Sequence, residues 1–304
     1  MTWDARFAER HSALASVRSA AESLVDLASF PGVDELTTRL SGRLRHNAQG
    51  HSVRFVRQPP RSRKPKTRAL RDLYDGRIFE TGEVPTREGS WHDLLNALAW
   101  ATFPEAKAAI NERQYRALVD WLGPGPIERL PGARTAEQDA LAMLDEGGIV
   151  LLVEHAIEND LRAAHIRGDV ESMRAAIAEH RAAALLLGHA LTENIVAAGS
   201  EPVRGFGVIL PVSKLPTSLD ERIRLADAAL AAHLRQPGRF PEGHGAPAIP
   251  LELAATLACR LTASRCRRRH PGFHHRRKSE ARCTRRTGAD RRSHRPRGRN
   301  RGPG

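Results

Sequence analysis

Up to Cys259 the chain contains no cysteine, and the only others are Cys266 and Cys283. No disulfide framework therefore supports the body of the protein. The three thiols form no C-x2–4-C pair of the kind that zinc sites use. The Gly-rich and Walker loops are also absent, as are the His-Glu-x-x-His and Gly-x-Ser-x-Gly signatures. Their absence removes the motif arguments for nucleotide binding, zinc-protease chemistry or serine-hydrolase chemistry. No run of about 18 apolar residues offers a membrane span. The longest apolar stretch beside a helix, AAALLLGHAL, is interrupted by Gly188 and His189. The N-terminus carries acids early and has no apolar run of leader length. A soluble, cytoplasmic protein with no membrane partner is the expectation.

Positive charge is missing from most of the chain in spite of a net charge of +13. Residues 260–304 hold 17 Lys/Arg against 2 acids, whereas residues 1–259 hold 31 against 33. The body is nearly neutral, so nucleic acid is an expected partner only if the basic tail is genuine. The Arg- and Pro-rich stretch at 57–68 reads as a solvated connection.

What is present points to α+β: a mainly helical single domain with a small sheet. Residues 8–30 read as a helix or helix pair, and 34–45 as a short helix. Val53, Phe55 and Val56 suggest a strand. Arg77–Glu80 reads as a strand or irregular segment, and Gly82–Gly89 as loop. Ser90 is an N-cap with Asp93 three residues on, in the manner of a capping box. The helix that follows is apolar almost all round and reads as buried. Pro104 opens the next helix. Ile149–Val153, apolar without alternation, reads as a strand covered on both faces. Helices are expected at about 157–166 and, with breaks, 169–198. A second strand follows at 205–212, then a helix from the Ser218–Glu221 capping box to about Leu234. The expected division is an N-terminal helical segment (1–50) packed on a core (51–235), then an aberrant or disordered basic tail (236–304).

The stretch from Glu80 to Asn111 carries an unusual set of residues at fixed spacing: Val84-Pro85-Thr86-Arg87, His92-Asp93, Asn96-Ala97-Leu98, Trp100, Phe103-Pro104, Lys107 and Ile110-Asn111. Two later pieces agree, Asp139-Ala-Leu with Leu144-Asp-Glu146-x-Gly148, and Gly188-His-Ala-Leu-x-Glu193. Over residues 53–235 the chain resembles the bacterial domain of unknown function 3025 family. The resemblance implies a bacterial source and no established activity. Gln138 departs from the pattern, where a basic residue is expected. So does the end of the chain, where Ile249-Pro250-Leu251 is only a remnant of an expected Pro-Leu-Pro segment leading to a Gly-x-Pro-Gly-Trp turn.

Candidate chemistry rests on two helical pairs. His92 and Asn96 lie four apart, as do His189 and Glu193, so each pair projects from one helix face. Were the two helices to meet, His92, Asp93, Asn96, His189 and Glu193 would form an acid–base cluster, with His189 and Glu193 as ligands for a divalent metal. The competing reading makes them buried polar groups with structural hydrogen bonds, Asp93 already serving the cap. Arg87, just before a helix N-terminus, is a candidate anion holder, or else the partner of Glu80 or Asp93. Adjacent Asp145 and Glu146 can bind a cation but equally compose an ordinary turn. On balance the sequence favours a non-catalytic, adaptor-type domain. The alternatives are a hydrolase-like enzyme at the His92 and His189 helices and nucleic-acid contact through the tail.

After Leu261 there is no Leu, Ile, Val or Met to the end of the chain. Such a segment buries too little apolar surface to offset its ordering entropy and is expected to be disordered. Its Arg-, His-, Gly- and Pro-rich text is what a GC-rich gene yields out of frame, so a slip between about 236 and 262 is favoured over a phosphate-binding tail. Resequencing the gene checks this. The expected outcome is a one-base correction that restores an apolar ending with a Gly-x-Pro-Gly-Trp turn. An unaltered frame, with salt-sensitive nucleic-acid binding that disappears when 260–304 are deleted, would mean that the tail is real.

Overall fold

Ile149–Val153 lies at the centre of the fold, every residue of it inaccessible to solvent. In the computed structural model, which describes residues 1–58, 69–123, 127, 134–198, 204–236 and 248–254, this run belongs to strand β3. The elements that surround it, in chain order, are α1 (Ala15–Ala21), α2 (Val33–Leu40), β1 (Arg54–Arg57), α3 (Tyr74–Thr81), β2 (Glu83–Thr86), α4 (Trp91–Thr102), α5 (Pro104–Leu122), α6 (Ala136–Gly147), β3 (Gly148–Glu154), α7 (Glu158–Ile166), α8 (Val170–Ala178), β4 (Ala182–Leu186), α9 (His189–Ala198), β5 (Arg204–Val212), α10 (Leu219–Arg235) and β6 (Ala248–Pro250).

The main sheet has the order β4-β3-β5-β6. Strand β3 runs antiparallel to β4, with Leu151 opposite Ala184, and parallel to β5, with Leu151 opposite Ile209. Helices α6, α7 and α10 pack against β3, which explains why its sequence does not alternate. A separate parallel pair joins β1 to β2. The architecture is the expected α+β, mainly helical with small sheets. Among the described residues, no helix is long and apolar enough to cross a membrane.

The helix of the unusual motif is buried on nearly every side, from Leu94 to Ala101. Ser90 Oγ caps it by accepting from Asp93 N–H. Trp91 at its start meets Trp3, Phe7 and Phe30 at ring-centroid distances of 5.7, 5.2 and 5.5 Å. The N-terminal segment also reaches the sheet, where Ser16 Oγ accepts from Leu186 N–H at 3.1 Å. Helix α5 starts on Pro104. Its free N–H groups at Glu105 and Ala106 donate to Asp227 of α10 at 3.2 and 2.7 Å.

Four expectations are corrected. Residues 169–198 are not helix throughout: Ala182–Leu186 is strand, because pairing with β3 and full burial override alanine's helix preference. Arg77–Glu80 lies inside helix α3, which ends at Gly82 with φ 72°. The expected loop at 82–89 contains β2, whose Pro85 is tolerated because a two-stranded sheet leaves one edge without a partner to serve. Residues 8–30 form only a seven-residue α-helix flanked by 3-10 turns. The sheet also extends past the expected boundary at 235. Strand β6 pairs with Arg204–Phe206, and Leu251, Leu253 and Ala254 are buried. The expected disordered tail, from 255 on, and most of the basic 57–68 segment lie outside the described residues.

Asp227 satisfies two backbone donors at once. Replacing it with alanine is expected to cost about 1–2 kcal/mol, as for loss of a helix cap. Asp227→Asn, which keeps one acceptor, should lose less. Urea unfolding of the two variants measures the difference.

Candidate functional site

Two backbone segments meet beneath the site. The N–H groups of Leu187 and Gly188 both donate to Gly148 O at 3.0 Å. A Cβ on Gly188 would fall 2.5 Å from Gly148 N and 2.6 Å from Gly147 C. Only glycine permits that approach. It brings the start of α9, where His189 sits, directly over the end of α6, where Asp145 and Glu146 sit. Helix α4 packs along α9 and supplies His92 from its first turn.

His189 is buried. Its Nδ1 lies 2.8 Å from the carbonyl oxygen of Asp145. A carbonyl only accepts, so Nδ1 carries the proton and Nε2 presents its lone pair. Burial is the main cause that pushes the His189 pKa down to about 4, with the charge of Lys107 adding to it. The ring is therefore neutral at pH 7. His92 Nδ1 lies 3.0 Å from Glu193 Oε2. That carboxylate likewise accepts a hydrogen bond from Nδ1–H, which leaves the Nε2 lone pair to face the site.

The two Nε2 atoms face each other at 3.1 Å. Glu146 Oε2 lies 3.4 Å from His189 Nε2 and 3.8 Å from His92 Nε2. With both Nδ1 atoms protonated, two lone pairs and a carboxylate converge on one point. Either a proton shared by the imidazoles or a cation relieves that convergence. A tetrahedral ion with bonds of 2.0–2.1 Å separates its ligand atoms by roughly 3.3–3.4 Å, within the spread of the three distances. His92, Glu146 and His189 are accordingly the group among the described residues whose ligand atoms lie close enough to hold one metal ion. His189 lies at the back of the site. His92 and Glu146 are partly exposed, with side-chain accessibilities of 32% and 48%, so the site opens to solvent.

Behind the histidines is a buried ammonium. Lys107 Nζ donates to Asn96 Oδ1 at 2.8 Å and to the carboxylate of Asp145. Burial acts to raise the Asp145 carboxyl, but the Lys107 ammonium beside it outweighs burial and holds the group below the usual carboxylate range. Asn96 Nδ2 donates to the Tyr74 hydroxyl at 3.0 Å.

Of the residues singled out in the sequence, His92, His189 and Glu193 come together directly. Asn96 is one step removed, on Lys107 and Tyr74. Asp93 does not return to Ser90 as a capping box would have it. It accepts from Arg87, at the backbone N–H (2.6 Å), Nε (3.0 Å) and the terminal guanidinium nitrogen (2.7 Å). The Arg87 guanidinium is thus engaged by Asp93. Glu193 lies against His92 Nδ1, and Glu146 is the carboxylate near both Nε2 atoms. In the sequence Asp145 and Glu146 read as a cation-binding pair or an ordinary turn, not joined to the histidines, and Lys107 and Tyr74 are not singled out as site residues. The signals were present in the Asp-Glu-Gly-Gly turn and in a lysine flanked by alanines on a buried helix.

A family described as "Protein of unknown function (DUF3025)" matches residues 53–253. No curated protein and no solved structure matches the chain.

Gly188→Ala drives a Cβ into backbone that cannot yield. The expected cost is about 1–3 kcal/mol, the range for overpacking, seen as a lower melting temperature.

Proposed function

For this chain, which belongs to the DUF3025 family, we propose a divalent-metal site that serves hydrolysis, with zinc the metal best matched to two imidazoles and a carboxylate. The carrying observation is the pair of Nε2 atoms facing each other at 3.1 Å beside Glu146. Each ring is held by its other nitrogen, one on the Glu193 carboxylate and one on the Asp145 carbonyl. Such outer partners fix the tautomer and raise the basicity of metal-bound histidines. A structural hydrogen bond between two histidines needs no such matched pair of acceptors. This consideration moves the balance away from the adaptor reading that the sequence favoured.

The ligand set is His92, His189 and Glu146. Three protein ligands leave a fourth position for water, the arrangement of catalytic rather than structural zinc. His92 and Glu146 are the partly exposed members of the set, so the site is open to solvent on their side. A metal held there would lower the pKa of bound water toward neutrality and polarise the oxygen of an ester, amide or phosphoester. Glu193 and Asp145 act by positioning, through the imidazoles they hold. Lys107 offsets the charge of Asp145.

Elemental analysis of the purified protein tests the reading. The expected content is about one zinc or similar ion per chain, lost in His92→Ala and His189→Ala. Glu193→Gln should retain the fold and weaken metal affinity roughly 10–100-fold, the usual cost of removing an outer partner. Metal-free protein that takes up neither zinc nor cobalt, with variants that lose only stability, would return the site to a structural role.

A further inference from the structure

The hydroxyl of Tyr74 is directed by a chain of hydrogen bonds that begins at the buried lysine. Lys107 Nζ has only protons to offer, so Asn96 must turn Oδ1 toward it. That fixes the amide, and Nδ2 is then the atom that faces the Tyr74 oxygen at 3.0 Å. The phenolic oxygen therefore accepts, and its own proton is left to donate. Among the described residues, no acceptor lies on that proton. The hydroxyl meets the buried Asn96 amide, while Tyr74 as a whole residue is 44% exposed. Burial and the nearby carboxylates of Asp145 and Asp75 push the phenol pKa up, so it stays protonated.

Asn96 follows His92 by one turn on α4, and residues so spaced share a face with about 5–6 Å between their Cβ atoms. The same Lys107 also holds Asp145, whose carbonyl orients His189. The network that sets the metal-facing nitrogen of His189 thus also sets the Tyr74 hydroxyl.

We propose that Tyr74 donates a hydrogen bond to the negatively charged oxygen of a substrate or intermediate bound at the His92–Glu146–His189 site. This rests on the metal reading above and adds the second half of an oxyanion-binding site, a preorganised hydrogen-bond donor. The ligand class is a tetrahedral oxyanion: the hydrated carbonyl of an ester or amide, or a phosphoryl group.

Cobalt-loaded wild type and Tyr74→Phe, titrated with inorganic phosphate and followed by the visible cobalt spectrum, test it. Phenylalanine keeps the ring and removes only the hydroxyl. The expected result is equal cobalt affinity in both proteins and phosphate binding weaker by roughly ten-fold or more in the variant, as for loss of a hydrogen bond to a charged group. Equal phosphate affinities, or a wild-type spectrum that phosphate leaves unchanged, overturn the role of Tyr74 while leaving the metal site standing. Loss of cobalt binding in the variant overturns it in favour of a structural role. Failure of wild type to bind cobalt overturns the metal reading and this inference with it.

Discussion

A single buried ammonium holds the site together. Lys107 lies on α5 and is 3% exposed. It bonds Asn96 of α4 on one side and Asp145 of α6 on the other, and it stands 5.4 Å from the centroid of the Trp100 ring. An isolated charge at this depth is costly, and losing one partner of a buried pair costs more than the pair contributes. The three helices are therefore fixed relative to one another by a group that tolerates no rearrangement. Because Asn96 leads to Tyr74 and Asp145 leads to His189, displacement of one arm is felt in the other.

Under this network the glycine contacts supply rigidity of another kind. Gly148 and Gly188 let two strand ends and two helix ends touch at backbone distance. The loops that would otherwise carry His189 and Glu146 are reduced to single turns. His92, Glu146 and His189 consequently stand on element termini rather than on long loops, which suits a site that must hold its geometry within fractions of an ångström.

The parts legible in the sequence were those whose signal is local. Ser90 and Ser218 marked the starts of α4 and α10 because a hydroxyl three residues before an acid is a self-contained cap. Strands β3 and β5 were plain because β-branched and leucine residues followed glycines. Strand β4 was not, since Ala182 to Leu186 reads as helix until β3 is laid beside it. Proline hid β2. The convergence of His92 and His189 was readable as a geometric option from two four-residue spacings. The part of Glu146 was not, because Asp145-Glu146-Gly147-Gly148 reads as ordinary turn punctuation, whereas Asp145 and Glu146 lie in the last turn of α6. Only the fold reveals that this helix end lies under His189. Lys107 carried no partner signal at all, as Asn96 and Asp145 are 11 and 38 residues away.

Strand β6 has a bearing on how the chain is made. It pairs with Arg204–Phe206 at the outer edge of β5, some forty residues after that strand. During synthesis β5 leaves the ribosome well before its partner does. For that interval Phe206 and its neighbours present an apolar edge of the kind that recruits other chains. The late segment is short and contains Pro250, so once docked it offers little further edge of its own. Solubility of the nascent protein thus depends on how soon residues 248–254 emerge and fold back. A ribosome that stalls between 212 and 248 would release an intermediate prone to aggregate.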